Sequence, residues 1–176
     1  MLDLQEMRTE YIQATLDEST VPIEPFILFE TWFAQAVQTE VKDPNSMILA
    51  TSSKDNIPNV RTVLLKIFDE KGFVFFTNYN SVKAKEIEEN PHVALEFLWL
   101  DLERQIRVIG TCEKISTTES MAYFMKRSRG SQIGAWVSEQ SSVISSRKMF
   151  QMQVEKMKEK FSKGSIPLPD FWGGYR

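Results

Sequence analysis

A small antiparallel β-barrel with helices around it is the fold this sequence predicts, and three observations carry the prediction. About five apolar runs rich in Val, Leu, Ile and Phe lie between residues 46 and 115, each of strand length. Short loops join them, so neighbours in sequence are antiparallel neighbours in space. No glycine-rich dinucleotide fingerprint is present, and one short helix interrupts the strands instead of alternating with them, which argues against a parallel doubly wound sheet. At 176 residues, with 42% hydrophobic and 11% aromatic content, the chain can bury a real core as one domain.

Taken in order, the first segment keeps Leu4, Met7 and Tyr11 at helical spacing and loosens from Asp17 to Thr20. Pro25 starts a second helix, PFILFETWFAQAV, with Phe26, Phe29 and Phe33 along one side. It is apolar nearly all round, so it is expected to be wedged against a barrel or buried in a dimer. Asp43-Pro44-Asn45 is the break. Strands follow as SMILATSS, VRTVLLKIF, FVFFTN, HVALEFLWL and ERQIRVIGTCEKI, the last two joined near Asp101 and Leu102. The turn Asp69 to Gly72 makes VRTVLLKIF and FVFFTN a hairpin of well-buried strands. Between FVFFTN and HVALEFLWL lies SVKAKEIEEN, a helix with Ser81 or Asn80 as N-cap and Asn90-Pro91 as its stop. Ser116 and Glu119 form a capping box for TTESMAYFMKR, and SQIGAWVSEQSS is a candidate helical continuation after Gly130. A last amphipathic helix aligns Phe150, Val154, Met157 and Phe161. There is no internal repeat.

Several function classes fall away. A net charge of -3 and a pI near 5.4 exclude a general basic surface for nucleic acid, so any anion site is local. Cys112 is the only cysteine, which rules out a disulfide within the chain and predicts an interior thiol. His92 is the only histidine and begins a strand, and no His/Cys/carboxylate cluster suggests a metal. Ser138, Ser141, Ser142, Ser145 and Ser146 have the pattern of loop and capping residues, with no base or nucleophile elbow beside them. The N-terminus lacks an apolar signal region and no run reaches membrane-spanning length, so a cytoplasmic protein without a membrane partner is expected.

Two constellations suggest chemistry. Arg61 and Lys66 lie in apolar strand sequence with no acid between them, and Lys83 follows in the first turn of a helix. Buried cations need carboxylates or an anionic ligand, and both readings stay open, since the chain has 24 acids against 21 Lys and Arg. A strand feeding a helix N-terminus favours a phosphate there. Arg61 and Lys66 are an odd number of residues apart, so a regular strand would point them to opposite faces unless a bulge intervenes or a ligand wraps the strand. In the second constellation, Tyr123, Arg127 and Ser131 are spaced by four, so a continuous helix would align a phenol, a guanidinium and a hydroxyl, all phosphate donors. The alternative is a solvated basic helix end, which the helix dipole also favours.

Taken together, RTVLLK, the FFTN strand, SVKAKEIEENP, LERQIRVIG, YFMKRSRGSQIGAWVSEQSS and PLPDFWGGYR closely resemble the pyridoxamine (pyridoxine) 5′-phosphate oxidases, from about Arg8 to the last residue. The resemblance implies an FMN-binding split β-barrel working as a homodimer, with flavin at the subunit interface. It implies a helical arm over residues 1–20 and the split-barrel domain over 21–176. Arg61, the backbone around Val63 and Leu64, Lys66, Phe76, Thr77 and Lys83 would contact FMN, with Gln105, Gln140 and Ser141 completing the flavin site. Lys66, Tyr123, Arg127 and Ser131 would hold the substrate by its phosphate, with Arg8 and Tyr11 on an arm that can cover it.

The implied reaction oxidises pyridoxamine or pyridoxine 5′-phosphate to pyridoxal 5′-phosphate, with dioxygen as acceptor and hydrogen peroxide as product. The protein's share is to position both rings and both phosphates. The family often has a basic residue where Val82 stands here. It also continues past the tryptophan and glycines into further strands, with a tryptophan for the flavin and an Arg-x-His segment for the substrate. The sequence ends at Arg176, so an exposed strand edge is expected at Trp172 to Tyr175. Beside the oxidase stand two alternatives, a non-catalytic binder of FMN or a B6 phosphate and a split-barrel flavin reductase. Tyr123, Arg127 and Ser131 favour the oxidase over the reductase, while the absent segment keeps the binder open.

Overall fold

The computed structural model describes Glu6, Met7, Glu10, Ile12 and residues 16–143 and 146–176. The helical arm expected over residues 1–20 lies mostly outside them. Within them, Glu18–Thr20 form a 3-10 turn capped by Asp17, whose carboxylate accepts from the Ser19 N–H at 2.9 Å.

Seven strands form two antiparallel sheets among the described residues. In the first, β1 (Ser46–Ser52) lies between β2 (Pro58–Leu64) and β5 (His92–Trp99), and β6 (Arg104–Thr111) pairs with β5. The second contains β3 (Ile67–Asp69), β4 (Gly72–Asn78) and β7 (Trp172–Tyr175), with β4 in the middle. The expected VRTVLLKIF strand is therefore two strands. The Leu65 N–H donates to the Asn45 carbonyl, just before β1 of the first sheet, at 2.8 Å, while the Lys66 N–H donates to Val74 in the second at 2.9 Å. Adjacent amides thus serve different sheets, and the hairpin with FVFFTN is confined to β3 and β4. This hand-over also removes the phase conflict between Arg61 and Lys66, because strict alternation does not run through residue 65.

A second hand-over closes the ring. After β6, Glu113 and Arg176 exchange backbone hydrogen bonds at 2.9 and 2.8 Å, and the Ile115 N–H donates to Gly174 at 3.0 Å. β7 is therefore flanked on both sides, and all four of its residues are buried. The exposed edge expected there is absent because residues 113–115 cover it. The two glycines permit this closeness: a Cβ on Gly173 would collide with the Tyr79 hydroxyl, and one on Gly174 would lie 2.5 Å from the Ile115 side chain.

Helix α1 (Pro25–Gln38), with proline in its first turn, plugs the ring as one of its two expected settings required. Phe29 is 4% exposed and meets Phe68 and Phe73 edge-on at 4.9 Å and Phe97 at 5.1 Å. Helix α2 (Val82–Glu89) connects β4 to β5, with Ser81 and Asn90 at its ends as expected. A second core forms from α3 (Thr117–Lys126), α4 (Arg129–Val137) and α5 (Arg147–Lys160), where Phe124, Ile133, Phe161 and Trp172 are buried and Phe150, Val154 and Met157 pack against them. The Ser116–Glu119 capping box is formed. No helix among the described residues is long and apolar enough to cross a membrane.

α3 and α4 are not one continuous helix. Arg127 is extended (φ -71°, ψ 149°), and Ser128 starts a new helix by accepting from the Ser131 N–H at 3.3 Å. Gly130 lies inside α4 and is not the cause. The Gln132 amide secures the corner by donating to the Phe124 carbonyl at 2.9 Å, satisfying a C-terminal group of α3.

Candidate functional site

A cavity of about 1020 Å³ opens where the edge of β2, the end of β4, the start of α2 and the α3–α4 corner meet. β2 has one strand partner, so its other edge lines the cavity and offers backbone N–H and C=O groups to a planar ligand. Among the described residues Arg61, Lys66, Lys83 and Arg127 line it, and no Asp or Glu does. That imbalance of charge suits an anion.

Lys83 is the most constrained of the four. Its side chain leaves the first turn of α2 and is 6% exposed, with Nζ donating to Thr77 Oγ1 at 3.2 Å, Gln140 Oε1 at 3.1 Å and Ser81 Oγ at 3.4 Å. All three partners are neutral. Burial and the nearby Arg61 charge lower its pKa to about 8, against the opposing pull of Glu86. Ser81 spends its hydroxyl on this contact and makes no side-chain cap for α2.

Arg61 points inward from β2 and is already satisfied by protein. Its guanidinium donates to the Leu49 carbonyl at 3.0 Å, to Thr51 Oγ1 at 2.6 Å and to the Glu86 carboxylate at 3.0 Å. Of the two readings left open for this cation, a carboxylate partner is the one present. Arg61 also lines the cavity, so a ligand there would share this guanidinium with Glu86, whereas Lys66, Lys83 and Arg127 have no carboxylate partner among the described residues.

At the opposite wall Phe76 stacks on Tyr123 at 3.9 Å and 18°, and on Trp172 at 5.3 Å and 13°. The Arg127 guanidinium lies 4.5 Å from the Trp172 ring centre. Its Nη1 is buried with no hydrogen-bond partner, an expensive arrangement unless an acceptor arrives. Burial also lowers the Arg127 pKa and raises that of Tyr123, whose shift Arg127 partly offsets. Ser128 and Ser131 stand at the start of α4, where free backbone donors and the helix dipole favour a phosphate. An orphaned guanidinium donor and an ammonium bonded only to neutral oxygens are each suited to an anionic group.

The sequence-predicted residues converge here. Arg61, Val63, Leu64 and Lys66 come from β2 and its exit, Phe76 and Thr77 from β4, and Lys83 from α2. Tyr123, Arg127 and Ser131 come from the broken helix pair, and Gln140 and Ser141 from the loop after α4, where Ser141 has φ 66°. The helix break keeps the last three donors together by a corner instead of a stripe. Gln105 is not brought in. It is exposed on the outward face of β6, opposite Leu98. Arg8 and Tyr11 lie outside the described residues. Sequence reasoning missed Trp172 as a wall and the Thr51, Asn59 and Glu86 network behind Arg61. Polar Asn59 and Arg61 two apart on one strand face were the available signal.

Comparison with known proteins aligns with this geometry. A family model described as pyridoxamine 5′-phosphate oxidase matches residues 33–161. The chain is 59% identical over 175 residues to the pyridoxine/pyridoxamine 5′-phosphate oxidase of Crocosphaera subtropica, covering 99% of this chain and 82% of that protein. It is 49% identical over 173 residues to the protein of the same name from Escherichia coli, covering 98% and 79%. Among solved structures, PhzG from Burkholderia lata in complex with tetrahydrophenazine-1-carboxylic acid superposes with a TM-score of 0.86 at 24% identity, covering 92% of this chain and 80% of that one. A pyridoxamine 5′-phosphate oxidase-related, FMN binding protein from Nostoc punctiforme gives 0.66 at 17% identity, covering 88% and 81%. Both structures share the split-barrel fold.

Proposed function

Because the chain belongs to the pyridoxamine 5′-phosphate oxidase family, we propose that it is a flavin oxidoreductase that binds FMN and oxidises pyridoxamine or pyridoxine 5′-phosphate to pyridoxal 5′-phosphate. The observation that carries this reading is one cavity that, among the described residues, is lined by four cations and no carboxylate, and in which a buried Arg127 donor lacks a partner. Bound FMN would supply the two-electron chemistry between the substrate carbon and dioxygen, which takes up two electrons and two protons and leaves as hydrogen peroxide; with the amine substrate, water supplies the aldehyde oxygen and ammonia leaves.

The chain's own residues bind and orient. Lys83 and Arg61 hold the flavin phosphate beside the first turn of α2, and the free edge of β2 at Val63 and Leu64 hydrogen-bonds the ring. Thr77, Gln140 and Ser141 brace the same end, and Phe76 supports the ring. Arg127, Tyr123 and Ser131 take the substrate phosphate, and Lys66 reaches between the two ligands. Arg8 and Tyr11 would cover the substrate from the N-terminal arm. Fixed donors of this kind lower the barrier by positioning.

A homodimer is part of the proposal. The outward face of the first sheet carries Val60, Ile48, Leu98 and Ile109, exposed and apolar, with Ala50 and Ala94 between them. Gln105 shares that face and would meet the flavin of a second copy.

The test is reconstitution followed by turnover. Protein mixed with FMN is expected to turn yellow, to quench flavin fluorescence, and to consume oxygen with peroxide formation when given pyridoxamine 5′-phosphate. Failure to bind FMN would sink the reading, and a yellow protein that makes no peroxide would favour the non-catalytic binder.

A further inference from the structure

Glu86 lies in the second turn of α2 and is 8% exposed, yet it is not part of the cavity wall. Three donors from two strands converge on its carboxylate: Thr51 Oγ1 at 2.5 Å, Asn59 Nδ2 at 3.0 Å and Arg61 Nη2 at 3.0 Å. Burial alone would raise its pKa, but the Thr51 and Asn59 hydrogen bonds and the Arg61 charge outweigh burial and lower it. The carboxylate is therefore charged and fully occupied on the strand side, with Arg61 between it and the cavity. Lys83, one turn earlier on the same helix, has only neutral partners from β4, from the α2 cap and from the loop after α4. The charged groups felt by Lys83 are Arg61 from β2 and Glu86 from its own helix.

We infer that Glu86 is the resident counter-ion of the anion subsite: it neutralises and pins Arg61 while no ligand is bound, and so competes with an incoming phosphate for that guanidinium. This rests on the FMN reading for the identity of the phosphate. Its consequence is an opposition between stability and affinity. Removing the carboxylate charge leaves Arg61 and Lys83 facing each other without compensation, which destabilises the free protein. The same removal makes the subsite more positive, which attracts a phosphate more strongly. A carboxylate that only braced α2 against the strands would lower both together.

Glu86→Gln keeps the shape and removes the charge. At about pH 6.5, where Lys83 is protonated, the variant is expected to bind FMN roughly tenfold more tightly than the parent, by fluorescence quenching. Riboflavin, which lacks the phosphate, is expected to bind equally to both, while Tm falls in the variant. Independently of any flavin, the Lys83 amine, followed by NMR and assigned with Lys83→Gln, should titrate at lower pH in the variant. Weaker FMN binding, an equal change for riboflavin, or an unmoved Lys83 titration would overturn the inference. If the parent binds neither flavin, the FMN reading fails by itself, and the Lys83 titration with and without inorganic phosphate still decides the role of Glu86. Glu86→Asp, one methylene short of Arg61, should give the same signs at smaller size and serves if Glu86→Gln does not fold.

Discussion

Lys83 holds an ammonium where burial and Arg61 both oppose its charge, and pH therefore acts on stability and on binding in opposite directions. Its folded pKa of about 8 lies below the ordinary 10.5, so between those values the unfolded chain binds more protons than the native one. Stability from this group is fully present above the upper value and lost as pH falls through the lower. The ligand-free protein should therefore gain Tm as pH rises from about 8 toward 10, and Lys83→Met should abolish that gain in a comparison of melting curves. Phosphate affinity runs the other way and should weaken as pH rises past about 8. Arg127 keeps an unpartnered buried donor at the other anion position. Charge-assisted hydrogen bonds of its kind contribute about 1.5–3 kcal/mol, so Arg127→Ala should raise the Kd for pyridoxamine 5′-phosphate roughly ten- to a hundredfold. An unchanged Kd in folded protein would remove Arg127 from the phosphate site. Most of these side chains were legible in the sequence because cations in apolar surroundings demand explanation. Glu86 was not, since its partners on β1 and β2 lie 25 to 35 residues away and no local pattern encodes that meeting.

Helix α1 works as a plug, and Phe29 is its tip. Truncating a buried phenylalanine that touches five aromatic rings should cost about 3–5 kcal/mol, so Phe29→Ala is expected to lower the denaturation midpoint sharply. A loss below about 1 kcal/mol would mean that the ring is not what fills the barrel. The apolar character of this helix was visible in the sequence, as were the capping box of α3 and the stripe of α5, because each depends on spacing within one segment. Two boundaries were not. VRTVLLKIF has the composition of one strand, and only the separate partners of Leu65 and Lys66 divide it. Tyr123, Arg127 and Ser131 have the spacing of one helix, and the break depends on whether Ser128 caps, which a run of polar residues does not decide.

In the whole molecule, two sheets form one ring through two hand-overs, and the first sheet turns outward a face on which exposed Val60, Ile48, Leu98 and Ile109 surround the Glu96–Arg107 pair of positions. That face is the proposed contact with a second copy. Ile109 is 74% exposed in the single chain, so Ile109→Glu should leave the fold intact. It should also shift the protein to monomer by light scattering and reduce flavin retention, because Gln105 shares that surface. A dimer that survives the substitution would move the interface elsewhere. The ring has a further consequence, for the time at which the site comes into being. Trp172 walls the cavity and β7 completes the second sheet, yet the Tyr79 hydroxyl and the Gly174 carbonyl it meets are 95 residues apart in the chain. Such long-range pairing is slow, and during synthesis it waits for β7 to leave the ribosome. Nascent chains arrested before Trp172 should therefore fail to capture flavin, because the site is assembled only once β7 has emerged to pair with β4.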